Sequence, residues 1–372
     1  MNSTVASYRN RQGIGKILDR YLISGYLKTF SLCLLAVTGL YFVVDFFDRV
    51  DNLFRSSTPL WTAIRYFFFK LPLIVSRVLG FAGLFTALFF IGRLARTKEI
   101  LAMRFAGFSL RRFSFPILLA AAGVSLLGML WSETIVPIFA RQAQTVYRAE
   151  VRKNSGRSLV GDRDIWLRGD GVFISVNRFD AKRRILEGVA VYLLNPDFSL
   201  GGFLEGRTAT WNGTAWQMQR ATEWQFAERG PVSRRRANIL LPIAERPDDL
   251  RFLAREPEEF SFLELRRQIA YLRARGIDAT EYAVDLQLKV TSPLASFLFV
   301  LLAIPFALKQ NSTSEAALNY GAAVLVSLGY WLLLSFTRSL GHGGALPPVA
   351  AAWLPLVTLA LVVWFFSTAE ER

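Results

Sequence analysis

Residues Val78–Leu94 read VLGFAGLFTALFFIGRL, an apolar run with a single charge, Arg93, near its end. A bilayer's hydrocarbon core is about 30 Å thick, so a helix needs roughly 20 mostly apolar residues to cross it. Working outward from this run, comparable blocks occur at Phe30–Val44, Phe113–Trp131, Pro293–Leu308, Ala316–Phe336 and Val349–Phe366. The blocks at Phe30, Pro293 and Ala316 reach spanning length only with flanking polar or small residues. The sequence therefore predicts six transmembrane helices, three on either side of a long middle segment. Apolar types make up 52% of the 372 residues, and their concentration in blocks excludes an ordinary soluble domain.

Orientation follows from Lys and Arg in the short loops, which favour the cytoplasmic side. The amino-terminal stretch carries Arg9, Arg11, Lys16, Arg20 and Lys28, and the turn after the second block carries Arg93, Arg96, Lys98, Arg104, Arg111 and Arg112. With both inside, six spans return the chain end to the cytoplasm and put the middle segment outside. The first apolar block lies behind almost thirty polar and amphipathic residues and runs into Asp45 and Asp48, so a removable signal peptide is not expected. The net charge of +15 does not indicate nucleic acid, because it is spread over juxtamembrane loops and the middle segment. Cys33, the only cysteine, rules out an internal disulfide and reads as a small apolar residue in the first span.

Between about Arg141 and Phe260 the long apolar runs give way to short strand-like runs. Asp164–Arg168 and Val172–Val176 flank Gly169-Asp170-Gly171, Val189–Leu194 ends at Asn195-Pro196-Asp197, and Thr208–Trp211 and Ala215–Gln219 flank Asn212-Gly213. Such turn signals between alternating runs predict hairpins. The repetition predicts an all-β domain, a sandwich, jelly roll or open barrel. Several strands are apolar at both alternating positions, so one face is sealed in a core or holds something apolar. Trp166, Phe173, Ile174, Val191 and Tyr192 are the candidate lining residues. After this domain, Ser261 and Glu264 have capping-box spacing. Phe262, Leu265, Ile269 and Leu272 recur at helical spacing as far as Gly276, which predicts an amphipathic helix at the outer membrane boundary.

No catalytic or metal site is expected. His342 is the only histidine, read as lying in a solvated turn, which excludes histidine-cluster zinc sites. Gly15-Lys16 resembles the end of a phosphate loop, but Ile17 replaces the required Ser or Thr and Asn10 the first Gly. Energy for any work must then come from a partner or an ion gradient. The segment Arg93–Phe113 predicts a short amphipathic helix at about residues 97–107. Thr97 is its cap, Gly107 its stop, and Ile100, Met103 and Phe105 its apolar side, suited either to a groove on another protein or to lipid headgroups. Charges also gather at the outer ends of the spans. Asp45, Asp48 and Arg49 end the first, with Asp45 and Arg49 at ion-pair spacing. Arg77 opens the second, Glu281, Asp285 and Lys289 enter the fourth at every fourth position, and Arg338 lies near the end of the fifth. Ionisable groups in spans are costly and face cavities or partners, so this set suits a phosphorylated lipid, whereas snorkelling explains each one singly.

Taken in order, several segments resemble the LptF/LptG permease family of the lipopolysaccharide exporter, on the LptG side of the pair. They are Leu18-Asp19-Arg20-Tyr21, Asp48, Glu99 with Met103 and Ala106-Gly107-Phe108, and Glu133-Thr134-Ile135-Val136-Pro137. Tyr147-Arg148-Ala149, Tyr271-Leu272, Gly276-Ile277-Asp278-Ala279, Leu346-Pro347-Pro348 and Leu354-Pro355 complete them. The resemblance implies a non-catalytic inner-membrane subunit of a Gram-negative bacterium with a periplasmic jelly roll. It also implies an LptF paralogue, an LptB ATPase dimer that binds ATP and magnesium, and LptC as partners. Lipopolysaccharide would leave the outer leaflet and pass to a periplasmic bridge. Glu99, Ile100, Met103, Arg104, Phe105 and Gly107 would form the coupling helix. Asp45, Asp48, Arg49, Arg77, Lys289 and Arg338 would meet the lipid. One departure stands out: where the family often has Lys near Asp45 and further lysines beyond Asp48, this chain has Asp45 and Asp51. Arg49 or Arg55, or divalent ions bridging acids to phosphate, would substitute.

Two other readings compete: an ion-coupled lipid transporter with an accessory domain, and a membrane-anchored β scaffold. The first predicts broken helix pairs at the midplane, and the sequence offers no clear pair. The second leaves the Glu99 helix and the outer charges without a shared purpose.

Overall fold

Among the described residues, a computed structural model of the chain has eight α-helices and six strands. It describes residues 2–55, 59–147, 165–169, 172–180, 183–195, 199–227, 230–241, 243, 246–247, 250, 257–274, 278–308 and 313–368. The helices are α1 (Asn2–Arg55), α2 (Leu60–Arg96), α3 (Glu99–Phe105), α4 (Leu110–Val146), α5 (Phe262–Ala274), α6 (Thr280–Leu308), α7 (Thr313–His342) and α8 (Pro348–Thr368). Among the described residues six are long and apolar enough to cross a bilayer: Lys16–Asp48, Leu60–Arg96, Arg112–Val146, Thr280–Leu308, Ala317–His342 and Pro348–Thr368. The expected six helices, three before and three after an inserted β domain, are borne out.

The helices form one compact unit, Met1–Asn154 with Pro257–Arg372. Helices α2 and α6 carry the largest shares of buried residues among the six. Small residues let their backbones approach, as membrane helix contacts require: a Cβ on Gly80 would stand 2.9 Å from the Phe299 ring, and one on Gly83 3.1 Å from Val300. Phe81 stacks on both Phe299 (6.1 Å) and Trp331 (5.8 Å), which joins α2, α6 and α7. Trp131 of α4 donates to the Pro72 carbonyl in α2 (3.0 Å), and Tyr320 of α7 donates to the Leu88 carbonyl (2.9 Å). The Leu88 oxygen, well inside the span, thus gains a partner that water cannot supply there.

The second compact unit, Ser155–Glu256, holds the sheet. Strands β1 (Ile165–Gly169), β2 (Val172–Asp180), β3 (Ile185–Leu194), β4 (Leu200–Trp211), β5 (Trp216–Ala227) and β6 (Gly230–Leu240) pair antiparallel in the order β1-β2-β3-β4-β5-β6. The described strands are therefore an up-and-down meander, with no crossover among them. The Asn212-Gly213 hairpin forms as expected. Asn212 Oδ1 accepts from the backbone N–H groups of Thr214 (3.0 Å) and Ala215 (2.8 Å), and Gly213 takes φ +102°. In the hairpin between β1 and β2, Asp170 and Gly171 lie outside the described residues, as do Pro196–Phe198 between β3 and β4.

Candidate functional site

Asp45, Arg77, Asp285, Lys289 and Arg338 each form an ion pair with a residue of another element. The side chain of Arg49, the partner that spacing suggests for Asp45, lies outside the described set. Asp45 pairs with Lys70 of α2 at 2.6 Å, the two side chains 10% and 6% exposed. An exposed pair one helical turn apart is worth only about 0.2–0.5 kcal/mol, whereas a lysine buried on a neighbouring helix needs a carboxylate. Sequence reading missed Lys70, although a lone Lys in the run Phe67-Phe68-Phe69-Lys70-Leu71 is the signal. Asp48 on α1 is exposed.

Arg77 does not begin its helix, because α2 continues outward to Leu60. At about 1.5 Å per residue, Arg77 lies about 24 Å along α2 from Arg93. It donates to Glu258 (3.0 Å) and Tyr41 (3.4 Å). Lys289 pairs with Glu133 of α4 (3.3 Å), and Arg338 pairs with Asp285 (2.7 Å). Each of the three cations has its own carboxylate, so in the described structure they are compensated pairs rather than a bare cationic patch. Glu281, Asp285 and Lys289 do not act as one face either. Each step of four residues advances about 40° around a helix, so Lys289 turns to α4 while Asp285 and Glu281 turn to α7. His342 is not a solvated turn residue. It ends α7, with its ring nitrogens 3.4 Å from Asp285 and 3.9 Å from Glu281.

Around residues 257–264 the pairs join into a clamp. Arg77 holds Glu258. Arg141 donates to the Glu259 carbonyl (2.8 Å) and to the Glu264 carboxylate, and Glu133 accepts from the Phe262 N–H. The expected capping box starts α5: the Ser261 N–H donates to Glu264 (2.9 Å) and the Glu264 N–H to Ser261 Oγ (3.3 Å). Gly276, its expected stop, lies outside the described residues. Burial pushes the Glu264 carboxyl up, but hydrogen bonds from Ser261 and from the Arg141 guanidinium outweigh it and hold it below the usual value.

The short helix expected between the second and third spans exists as α3, with two corrections. Thr97 closes α2, donating to the Arg93 carbonyl (3.1 Å), while Lys98 takes the N-cap place of α3 at φ 58°. Gly107, at φ +86°, stops α3 as expected. The Gly107 N–H bonds to Arg104 O (3.0 Å) and the Phe108 N–H to Met103 O (3.1 Å), a Schellman closure. Ile100 and Met103 pack into the helical core, whereas Phe105 is 83% exposed, with Leu101 and Arg104 also outside. The three apolar residues thus do not share one side. Glu99 accepts from Tyr21 (2.8 Å) and Thr97 (2.9 Å), which ties α3 to the base of α1.

In the sheet, the candidate lining residues divide between faces. Ile174, Val191 and Leu204 stand opposite one another on adjacent strands and belong to a core sealed to 8% exposure or less. Phe173, Tyr192, Phe203 and Trp224 are likewise aligned across β2 to β5 on the other face, half-buried, with the Tyr192 and Phe203 rings 5.0 Å apart. Alternation forces this division. Trp166 pairs with Ser175 in register, and its side chain lies outside the described set.

Fold and site together define a polytopic membrane protein with an inserted antiparallel sheet, whose charges at the outer helix ends are compensated between helices. Residues 20–368 match the family described as lipopolysaccharide export system permease LptF/LptG, and the chain belongs to this family. It is similar to the lipopolysaccharide export system permease protein LptG of Escherichia coli (strain K12). The two are 22% identical over 349 residues, which cover 93% of this chain and 96% of that protein. It is also similar to the protein of that name from Haemophilus influenzae, 18% identical over 95% of this chain and 99% of the relative.

Proposed function

We propose that this chain is the LptG-type subunit of an ATP-driven exporter in the inner membrane of a Gram-negative bacterium, extracting lipopolysaccharide from the outer leaflet. One observation carries this reading: the likeness to proteins named LptG runs through both helix trios and the inserted sheet, over 96% and 99% of those relatives. The likeness also favours LptG over its paralogue LptF. Gly15-Lys16-Ile17 lacks the hydroxyl a phosphate loop needs, so ATP and magnesium belong on an LptB dimer and this chain does no catalysis.

In this scheme α3 is the transmitting element. Ile100 and Met103 root it in the bundle, Glu99 joins it to Tyr21, and Leu101, Arg104 and Phe105 remain outside to meet the ATPase. The sheet domain stands in the periplasm and passes the lipid towards LptC, and a paralogous LptF completes the membrane assembly. Purification in native lipid with its partners, followed by mass spectrometry of proteins and lipids and an ATP-dependent lipid transfer assay, tests the reading. Lipopolysaccharide and an ATPase that co-purify, with transfer that stops on removal of ATP, are expected. Transfer driven by an ion gradient without an ATPase would overturn it. Growth rescue of cells depleted of LptG, but not of cells depleted of LptF, tests the assignment within the pair.

A further inference from the structure

At the cytoplasmic end of the bundle Arg112 pairs with Asp19 (2.7 Å), but three other cations there differ in state from those at the outer end. Arg20 and Lys28 of α1 and Arg93 of α2 line one groove of about 480 Å³, which continues along α1 past Ser24 and Lys28 as a shallow, open hollow lined by α1 alone. Arg20, Ser24 and Lys28 repeat every four residues on α1, and Arg93 faces them from the last turn of α2. All three cations are exposed, and none is in an ion pair among the described residues. No carboxylate lines either hollow. By contrast, Lys70, Arg77, Lys289 and Arg338 each hold a carboxylate.

The groove is also shaped for something half apolar. Its walls include Ile17, Phe90 and Leu94. Gly25 forms the base, where a Cβ would come within 2.5 Å of the Phe90 ring, so only glycine lets α1 sit this close to α2. Lys28 lies about 12 Å along the helix from Arg20, which puts it within the leaflet, its ammonium reaching back to the headgroup level. Basic pockets between membrane helices on the cytoplasmic side bind anionic lipid headgroups.

We infer that the groove between α1 and α2 lined by Arg20, Lys28 and Arg93 binds the phosphodiester headgroup of an anionic phospholipid from the cytoplasmic leaflet. The three cations neutralise the phosphate, and Ile23 and Leu27 along the second hollow take the first acyl segment. This is a different leaflet and a different lipid from the exported one. Tyr21 lines the same groove and bonds Glu99, so the bound headgroup is one side chain away from α3.

The test uses the full chain with its partners in nanodiscs of phosphatidylethanolamine with a minority of phosphatidylglycerol. Photoactivatable analogues of both lipids are added, and labelled peptides are mapped. The phosphatidylglycerol probe is expected to label the peptides around Arg20–Lys28 and Arg93 in preference to the phosphatidylethanolamine probe. Each of Arg20→Gln, Lys28→Gln and Arg93→Gln should reduce that preference about fivefold, and Lys28→Arg should keep it. Size-exclusion profiles restrict the comparison to variants that assemble. Equal labelling by the two lipids in the unaltered chain, an unchanged preference in the glutamine variants, or another protein chain filling the groove in place of lipid would overturn the inference.

Discussion

Lys70 of α2 and Asp45 of α1 form an ion pair of 2.6 Å, with only 6% and 10% of their side chains exposed. It ties the first two spans together across the α1–α2 contact. A buried pair contributes less by its attraction than by the damage done when one partner is lost.

Lys70→Met should therefore destabilise the bundle by about 3–5 kcal/mol, and Asp45→Asn should also destabilise it, while the double variant should regain a large part of the loss. Thermal aggregation in detergent, read by size exclusion, measures this. A double variant no more stable than the worse single one would show that the pair does not work as a unit.

The exposed side of α3 yields a second expectation. Phe105, 83% exposed in this chain alone, should act as an anchor for the ATPase. Phe105→Ala should weaken co-purification by about tenfold or more while leaving the detergent stability of the subunit unchanged. Glu99→Lys should lose both association and transport, because it removes the acceptor of Tyr21 and Thr97 and reverses the charge. Tyr21→Phe separates these effects, since it leaves the charge in place. Full association in both Phe105→Ala and Glu99→Lys would point to a different docking surface.

The clamp at α5 gives a pH dependence with a definite sign. Glu264 is held below its ordinary value near 4.5. Its contribution to folding is thus fully present above the unfolded value and is lost as pH falls through the lower, folded one. Stability measured from neutral pH down to about pH 3 should decline less steeply in Glu264→Gln than in the unaltered chain. The variant should be the less stable of the two at neutral pH. Parallel curves would mean that this carboxylate is not linked to folding.

For the sheet, photocrosslinkers along β2 decide between conduit and scaffold. Exposing acyl chains to water costs about 0.8 kcal/mol per CH₂, so a conduit needs an apolar wall. Ile174 and Val176, 1% and 0% exposed, lie on a sealed face that must open to admit lipid. Lipopolysaccharide should crosslink at 174 and 176, not at 173 or 175, and only during ATP hydrolysis. Capture at every position, or without ATP, would argue against directed passage. No adducts here, alongside strong adducts on another β-domain protein, would leave the domain as a scaffold.

The sequence by itself determined the six spans, their grouping around an all-β insertion, the Ser261–Glu264 capping box and the Gly107 stop. These features are local. Apolar run length, turn chemistry and cap spacing depend on residues a few positions apart, so they survive in one dimension. Only the tertiary structure decided which charges meet. Lys70 with Asp45, Arg77 with Glu258, Lys289 with Glu133 and Arg141 with Glu264 are separated by 25 to 181 positions. Nothing in local spacing selects among several acids for each cation. Helix length was decided there as well: α2 runs on past Val78 to Leu60, with Tyr66, Phe67, Lys70 and Ile74 buried against neighbouring helices. The same holds for α3, where Ile100 and Phe105 look equivalent in sequence, yet one is buried in the bundle and the other projects outward. Which side of a short helix faces its own protein is set by the neighbours it packs against, and those neighbours exist only once the chain has folded.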